Sequence, residues 1–398
     1  MSNKRKDNKG RVLRTGESQR KDGTYDYRYT DTKNNRCSVY ASTLDELRQK
    51  ETEIQRMKSD GVSYAAADIT VLELLERYIN MKQRAVRYTT RSGYQFVQSV
   101  VAKYDFGDRK IRSIKMSDAK LWFIELYDDG YSWNTIASIR GVVKPAFQMA
   151  FTEELIRRNP FDFRLDIIPN DTEKRVALTK RQQRDFLNFI AEDSHYSQYL
   201  DEIVVLLGTG MRVSEFCGLT MADLDFEKRR IRVDHQLVWT RSCKRYVEKT
   251  KTECGCRFLP MSDEVYRSLY NILSNRPKPQ KEPMIDGYTG FILLDQNGNP
   301  KVALHIEHVV KRIWQKYNEV HVIPLPRITP HVFRHTFCTN MADAGMDLKS
   351  LQYLMGHSDV SVTLNVYTHS SYEKAEESMA RILSFSEVQL PMRKQRLG

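Results

Sequence analysis

The run ITPHVFRHT, residues 328–336, holds a histidine and an arginine three positions apart, His331 and Arg334. On a helix, side chains three residues apart lie on one face, so these two would point in the same direction. A second histidine, His357, closes the run LMGH, and Tyr367 follows it ten residues later. Each residue alone is ordinary, and their order along the chain is what predicts a shared site.

An arginine far upstream extends this set. The run TGMRVSE, residues 209–215, ends an apolar stretch and contributes Arg212. Two guanidinium groups can clamp the non-bridging oxygens of a phosphate, and they keep their charge. Imidazoles can donate to the phosphate or accept a proton, and a lysine can protonate a departing oxygen. The pattern therefore indicates a phosphoryl-transfer site that uses neither a metal ion nor another cofactor.

A tyrosine supplies the nucleophile that such chemistry requires. Breaking a DNA strand and resealing it without ATP requires that the bond energy be stored, and a covalent tyrosine–phosphate ester stores it. A free phenol has a pKa of about 10, so the site must ease the loss of its proton. Tyr367 is the candidate nucleophile, and Tyr372 is its rival. In chain order, the candidate catalytic residues are Arg212, Lys251, His331, Arg334, His357 and Tyr367.

The lysine assignment leaves an alternative open. Lys251 and Lys249 lie two residues apart on one face of a predicted strand, and either could be the general acid. The turn that follows contains Cys254 and Cys256, and with Cys243 these could suggest a zinc knuckle. No fourth cysteine completes the ligand set, so reduced thiols on a hairpin are the favoured interpretation.

Together, these motifs resemble those of the tyrosine recombinase (phage-integrase) family. Thr-Gly-x-Arg-x-Ser-Glu matches the first family arginine at Arg212, and His-x-x-Arg matches the second at Arg334. Leu-x-Gly-His followed by Tyr matches the later family histidine at His357 and the family nucleophile at Tyr367. The wider chain, through RTGESQRKDG at 14–23, NPFDF at 159–163 and TLNVY at 363–367, is similar to integrases of conjugative transposons.

The resemblance implies a multidomain, mainly α-helical fold with small β-sheets. Its parts would be an α+β arm-site DNA-binding domain at residues 1–66, a helical-bundle, SAM-like core-binding domain at 67–168, and an α+β catalytic domain at 169–398. The last two would close around double-stranded DNA as a C-shaped clamp. The resemblance also implies a homo-tetramer on two DNA sites, a 3′-phosphotyrosine intermediate, a Holliday junction, and an excisionase or DNA-bending accessory protein. The apolar tail beyond Tyr367 would pack on a neighbouring subunit or on its own domain.

Length and charge fit this interpretation. A chain of 398 residues is too long for one compact core, so two or three domains are expected. The net charge of +12 and a pI near 9.2 point towards a polyanion, and residues 1–21 hold eight Lys or Arg against two acidic residues, 8 − 2 = +6. The longest aliphatic run, residues 203–207, is far shorter than a membrane span, and no signal peptide is recognisable. A cytoplasmic, nucleoid-associated protein without a membrane partner is expected.

Hydrophobic periodicity predicts the elements of the first half. Strands are expected at Tyr25–Tyr29 and Ser38–Tyr40, with a helix after the capping signal at Thr43. The apolar face of this helix is expected to consist of Leu44, Leu47, Ile54 and Met57. A plain mini-domain with a tyrosine core and a basic sheet that enters a DNA groove are equally favoured interpretations of this module.

From Thr70 to about Arg158, apolar residues at three-and-four spacing predict a four-helix bundle that begins with a capping box of Thr70 and Glu73. The buried stripe of the second helix is expected to include Phe96. Pro145 should kink the fourth helix or mark its boundary.

The second half is predicted to mix helices with short strands. Thr179 caps a helix, and strands are expected at 231–233, 246–248 and 257–260. Residues 263 to 382 look mostly helical apart from a proline-rich joint near Pro277.

Other classes of protein fit these residues less well. A DNA-binding regulator without chemistry would have no reason to keep this set of residues together. A metal-dependent nuclease needs clustered carboxylates, and none lies among these motifs. No P-loop indicates an ATPase. A type IB topoisomerase would share the chemistry, but the arm module and the transposon-like motifs argue against it.

Overall fold

The computed structural model describes the chain in seven stretches. These are residues 5–31, 35–59, 68–84, 86–172, 176–240, 244–250 and 255–367. The chain divides into two compact units, residues 1–173 and residues 174–398. Within the seven stretches, no helix combines the length and the apolar character needed to cross a membrane.

Unit 1 begins with a three-stranded antiparallel sheet covered by one helix. In order, the elements are β1 (Glu17–Gln19), β2 (Tyr25–Thr30), β3 (Arg36–Ala41) and α1 (Leu44–Ser59). Because side chains alternate along a strand, one face of the sheet buries Tyr25 and Tyr27. The helix buries Leu44, Leu47, Ile54 and Met57, which confirms the predicted helix face. The predicted hairpin of β2 and β3 is also confirmed, whereas β1 is a strand that the sequence did not predict.

Four further α-helices follow in unit 1. They are α2 (Val71–Lys82), α3 (Tyr88–Val101), α4 (Met116–Asp128) and α5 (Trp133–Thr152). The predicted capping box of Thr70 and Glu73 starts α2. Pro145 lies inside α5, so it does not mark a helix boundary. The prediction that Phe96 belongs to the buried stripe of α3 is wrong, because this side chain is 44% exposed.

The core of unit 1 is continuous from the sheet to the bundle. Buried apolar side chains of β2, α1 and all four bundle helices belong to one cluster. Phe123, Phe147 and Phe161 are among its largest fully buried members. The interdomain boundary proposed at 66/67 falls among residues 60–67, outside the described residues, and it stays a prediction.

Unit 2 combines eight helices with five short strands in its described part. The helices are α6 (Lys180–Glu192), α7 (Leu200–Thr209), α8 (Val213–Gly218), α9 (Asp263–Ser274), α10 (Ala303–Val320), α11 (Pro330–Asp343), α12 (Leu348–Met355) and α13 (Val360–Tyr367). The strands are β4 (Leu224–Asp225), β5 (Arg230–Val233), β6 (His235–Thr240), β7 (Lys244–Lys249) and β8 (Arg257–Pro260). The fold is thus mainly helical with small antiparallel sheets, and the predicted fold class is confirmed.

Two features of unit 2 differ from the sequence prediction. Strand β6 was not predicted, and it pairs with β7 while β8 pairs with β5. The chain therefore passes from one sheet to the other within one residue, Asp234. The predicted helical region also contains a longer break than expected, because residues 275–302 hold no helix between α9 and α10.

Candidate active site

A glycine fixes the turn that carries Arg212. Helix α7 ends at Gly210, which adopts a left-handed conformation with φ of 62°. A side chain at this position would be strained and would collide with the ring of Phe337 on α11. The backbone can therefore reverse close to α11, and Arg212 becomes the N-cap residue of α8.

Arg212 is oriented by two partners and remains accessible. Its backbone N–H and its Nη1 both donate to the Glu215 carboxylate, each at 2.8 Å. Its Nη2 donates to the carbonyl of Gly356 at 3.3 Å. The side chain keeps 41% of its exposure, so it is held in place and still open to a ligand.

Arg334 approaches the same turn from α11. Its Nη1 donates to the carbonyl of Gly210 at 2.8 Å, and its Nη2 donates to the carbonyl of Met355. The residue is only 4% exposed. Burial, together with the positive charges of Arg212 and Arg257 and against the opposing effect of Glu215, lowers the pKa of Arg334 to about 9. The guanidinium is still protonated at neutral pH, in a setting that disfavours a cation.

Glu215 is the carboxylate at the centre of the site. Burial would raise its pKa, but hydrogen bonding and charge from Arg257, together with the charge and backbone N–H of Arg212, lower it to about 2. Arg257 itself has a fully buried side chain, and its Nη2 lies 2.8 Å from Oε2 of Glu215. The carboxylate therefore stays ionised at every physiological pH.

His357 directly follows Met355 and Gly356, whose carbonyls accept hydrogen bonds from Arg334 and Arg212. Its Nδ1 is 2.9 Å from the hydroxyl of Thr363, which leaves Nε2 as the nitrogen directed to other partners. Burial, followed by the charges of Arg334, Arg212, Arg257 and His331, lowers the pKa of His357 to about 4. At neutral pH this imidazole is uncharged, so it can accept a proton.

The other candidate residues within the described stretches are His331 on α11, Lys249 on β7 and Tyr367 on α13. His331 is exposed on α11, one turn before Arg334, and its effect on the pKa of His357 puts it near that ring. Lys249 ends β7 and is exposed, whereas Lys251 lies outside the described residues. Tyr367 is the last residue of α13, which packs against α11 and α12, but its side chain is not described.

The structure thus brings Arg212, Arg334 and His357 together, with His331 close by. Three guanidiniums surround one carboxylate, so the site carries an excess of positive charge. A phosphodiester carries one negative charge, and preorganised cations stabilise a transition state that spreads this charge over its oxygens. The arrangement is suited to phosphoryl transfer. The catalytic assignments themselves stay predictions.

Sequence reasoning missed Arg257 as part of this site. The residue was assigned only to a strand, β8. A basic residue in an alternating strand next to inward-facing Leu259 was the available signal, because position 257 shares the face of position 259. Glu215 was recognised as part of a motif, but its role between two arginines is visible only in the fold.

Two family models match the chain. The phage integrase family matches residues 177–374. The DNA binding domain of Tn916 integrase matches residues 1–58. The chain belongs to the phage integrase family of tyrosine recombinases, and it is a site-specific recombinase of the conjugative-transposon integrase type.

Particular relatives are similar over nearly the whole chain. The transposase from transposon Tn1545 of Streptococcus pneumoniae is 41% identical over 396 residues, covering 96% of this chain and 97% of the relative. The transposase from transposon Tn916 of Enterococcus faecalis shows the same identity and coverage, 41% over 396 residues, 96% and 97%. The structure of the Tn1549 transposon integrase in complex with a circular intermediate DNA is 41% identical, with a TM-score of 0.75, and covers 79% of this chain and 99% of that chain. The resemblance inferred from the motifs is confirmed.

Proposed function

We propose that this enzyme cuts and rejoins double-stranded DNA through a 3′-phosphotyrosine intermediate and a Holliday junction, integrating and excising a mobile element. The observation that carries the proposal is the convergence of Arg212 and Arg334 on consecutive carbonyls, those of Gly356 and Met355, next to His357. This arrangement offers two fixed cations and a neutral base to one phosphate. The alternative, a DNA-binding regulator without catalysis, needs no such arrangement.

The roles of the residues follow from their chemistry. The phenolic oxygen of Tyr367 attacks the phosphorus, and the bond to the 5′-oxygen breaks. Arg212 and Arg334 bind the non-bridging oxygens, where charge increases in the transition state. One of the two histidines accepts the phenolic proton, and Lys251 or Lys249 donates a proton to the departing 5′-oxygen. The ester stores the bond energy, so neither ATP nor a metal ion is required.

DNA is the proposed partner along the whole chain. The Tn1549 relative was solved in complex with a circular intermediate DNA, and residues 1–58 match a DNA binding domain. The sheet face away from α1 carries Arg28, which is exposed, and Arg20 lies over the ring of Tyr40 at 5.2 Å. Such basic and aromatic groups suit phosphate contact and groove binding. We assign this face to arm-type sites.

The domain layout and the assembly belong to the same proposal. Residues 1–66 would bind arm-type sites, residues 67–168 and 169–398 would bind core-type sites at the element ends, and the enzyme would act as a homo-tetramer. An excisionase or DNA-bending protein would assist it in the cytoplasm, at the nucleoid. A tetramer suits this chemistry, because two DNA sites must be cut and rejoined together.

A nicked suicide duplex that bears the element's end tests the reaction. The enzyme should form a covalent protein–DNA adduct in EDTA, because the released short strand diffuses away and religation is lost. The Tyr367→Phe variant should bind the same duplex and form no adduct, whereas Tyr372→Phe should behave as the native enzyme does. An adduct that requires magnesium, or that Tyr367→Phe still forms, would contradict the mechanism.

The salt dependence of binding tests the clamp independently of the chemistry. A protein that surrounds a duplex releases many counterions, so the affinity should fall by roughly three orders of magnitude or more between about 50 and 200 mM salt. Titration of the Tyr367→Phe variant with intact duplex would measure this slope. A nearly flat response would rule out a protein wrapped around the duplex, while leaving the cleavage result unaffected.

A further inference from the structure

Three consecutive carbonyls at the end of α12 each bind a different arginine. The carbonyl of Leu354 accepts from Nε of Arg257 at 2.7 Å. The next carbonyl, of Met355, accepts from Arg334, and that of Gly356 accepts from Arg212 at 3.3 Å. Carbonyls at a helix C-terminus lack helical partners and lie at the negative end of the helix dipole, so they favour cations. The end of α12 is therefore the common support of three guanidiniums.

Arg257 is buried, unlike Arg212, and it differs from both other arginines in that all three of its side-chain nitrogens donate to protein oxygens. Because every nitrogen already has a protein partner, Arg257 is not available to a phosphate from where it lies. Besides Leu354, it donates to both carboxylate oxygens of Glu215, at 2.8 and 3.3 Å, and to the carbonyl of Gly255 at 3.1 Å. It therefore connects the start of α8, the end of α12 and the loop that enters β8.

Glu215 links Arg257 to Arg212 through shared hydrogen bonds. Its Oε1 accepts from Nη1 of Arg212 at 2.8 Å and from Nη1 of Arg257 at 3.3 Å. Its Oε2 accepts from the backbone N–H of Arg212 at 2.8 Å and from Nη2 of Arg257 at 2.8 Å. Because Arg257 neutralises much of the carboxylate's charge, Arg212 is not drawn fully onto Glu215. Part of its guanidinium remains available to a phosphate.

We propose that Arg257 is a positioning residue for strand cleavage, which holds Arg212 and the His357 turn in register through Glu215 and the Leu354 carbonyl. The inference rests on the proposed function. It requires arginine rather than lysine, because the contacts point in several directions from one planar group. An ammonium group offers its donors from a single point and cannot span the carboxylate and both carbonyls.

The test compares two substrates in the full-length enzyme. One is the nicked suicide duplex with a normal scissile phosphodiester, and the other carries a neutral methylphosphonate at the same position. A neutral centre develops less negative charge in the transition state, so cleavage depends less on a correctly placed Arg212. A variant that fails because Arg212 is misplaced should therefore recover part of its rate on the methylphosphonate duplex.

Arg257→Lys and Arg257→Met should bind the phosphodiester duplex with nearly native affinity. We expect both to cleave it roughly 10- to 100-fold more slowly, as for a catalytic group misplaced by about an ångström. On the methylphosphonate duplex, the deficit relative to the native enzyme should shrink at least several-fold. Equal deficits on the two substrates, or no deficit on the phosphodiester, would overturn the proposal.

Arg276→Met is the matched control. Arg276 is also a largely buried arginine of unit 2, and it also bonds a carboxylate, that of Glu282 at 2.7 Å, and a carbonyl, that of Phe291 at 2.7 Å. The Arg276→Met substitution should lower the melting temperature and leave the ratio of the two cleavage rates unchanged. Should Arg257→Met fail to fold, Arg257→Lys decides the question. If the native enzyme forms no adduct, the proposed function itself is refuted. If the native enzyme forms an adduct and the Arg257 variants cleave equally fast, only the inference about Arg257 is refuted.

Discussion

Two clusters of charged side chains lie at opposite ends of the short helix α8, and their charge balance differs. At the N-terminus of α8, Arg212, Arg257 and Arg334 surround the single carboxylate of Glu215. Within the described residues, no carboxylate lies within ion-pairing distance of Arg334, whose hydrogen bonds go to backbone carbonyls. This cluster holds two positive charges more than its carboxylate can neutralise.

At the C-terminus of α8, positive and negative charges are matched. The buried carboxylate of Asp223 lies 2.9 Å from Nη2 of Arg232. His235 places Nδ1 at 2.5 Å from Asp234 and Nε2 at 2.7 Å from the carbonyl of Gly218. Nε of Arg232 also lies 3.4 Å from the Asp234 carboxylate. Each of the two carboxylates therefore has a basic side chain beside it.

The difference separates a binding site from a scaffold. An unpaired buried cation costs folding free energy, so it is expected where a ligand brings the missing anion. A matched cluster needs no ligand. Asp223, Asp234 and His235 also bring potential metal-ligand atoms within 4.8 Å of one another. Because Arg232 and His235 already contact these carboxylates, we interpret this cluster as the joint between α8 and β6. Gly218 allows that joint, since a side chain there would collide with the backbone of β6.

Replacing Arg334 with methionine should give the largest effect and test the first half of the comparison. Loss of one preorganised cation should slow adduct formation by about 10²- to 10³-fold. The melting temperature at neutral pH should stay the same or rise, because a buried cation without a carboxylate partner is removed. Single-turnover cleavage of the suicide duplex and thermal unfolding measure the two quantities. A large loss of stability would show that this cation is matched within the protein after all.

Replacing Asp223 with asparagine should produce the opposite result. Asparagine keeps the shape but leaves Arg232 without its buried carboxylate partner, so the free energy of unfolding should fall by about 2 kcal/mol. The cleavage rate of the folded variant should change by no more than about threefold, because Asp223 only supports the scaffold. Urea unfolding and single-turnover cleavage are the measurements. The control is Arg181→Gln, which removes an exposed pair with Asp185 and should cost about 0.5 kcal/mol or less.

Motif spacing was enough to predict that Arg212, Arg334 and His357 lie close together. Arg212, Arg334 and His357 were named from the sequence because their chemistry is unusual as a set. Arg257 could not be singled out in the same way, since its role depends on the pairing of β8 with β5 and on which face points inward. Strand pairing is a tertiary property, and a single sequence reports it weakly.

The helices and strands also show that local signals were predictable from the sequence, whereas tertiary packing was not. Capping signals at Thr70 and Thr179 were predicted correctly, because a cap is a local hydrogen-bond pattern. Phe96 was assigned to the core because it lies next to a buried stripe, and only the packed neighbours decide where that stripe ends. Strand β6 was missed because it is defined by its partner β7. Lys251 and the side chain of Tyr367 fall outside the described residues, so their assignments stay predictions.

The smallest expected effect concerns the acid side of the stability curve. Burial and, after it, the positive charges of the cluster lower the pKa of His357 from 6.5 to about 4. Between these values the unfolded chain binds a proton that the folded enzyme does not, so stability falls as the pH drops from about 6.5 to 4 and is unaffected above that window. In His357→Gln this contribution, on the order of 1 kcal/mol, should be absent. Urea unfolding of both proteins at several pH values measures the difference.

Bound DNA should change the pKa of His357. A phosphate in the cluster supplies the missing negative charge, so it should favour the imidazolium form and raise the pKa of His357. In the Tyr367→Phe variant bound to uncut duplex, the ring should therefore titrate at higher pH than in the free protein, as NMR of labelled histidine can measure. An unchanged pKa of His357 in the complex would mean that no phosphate enters this cluster.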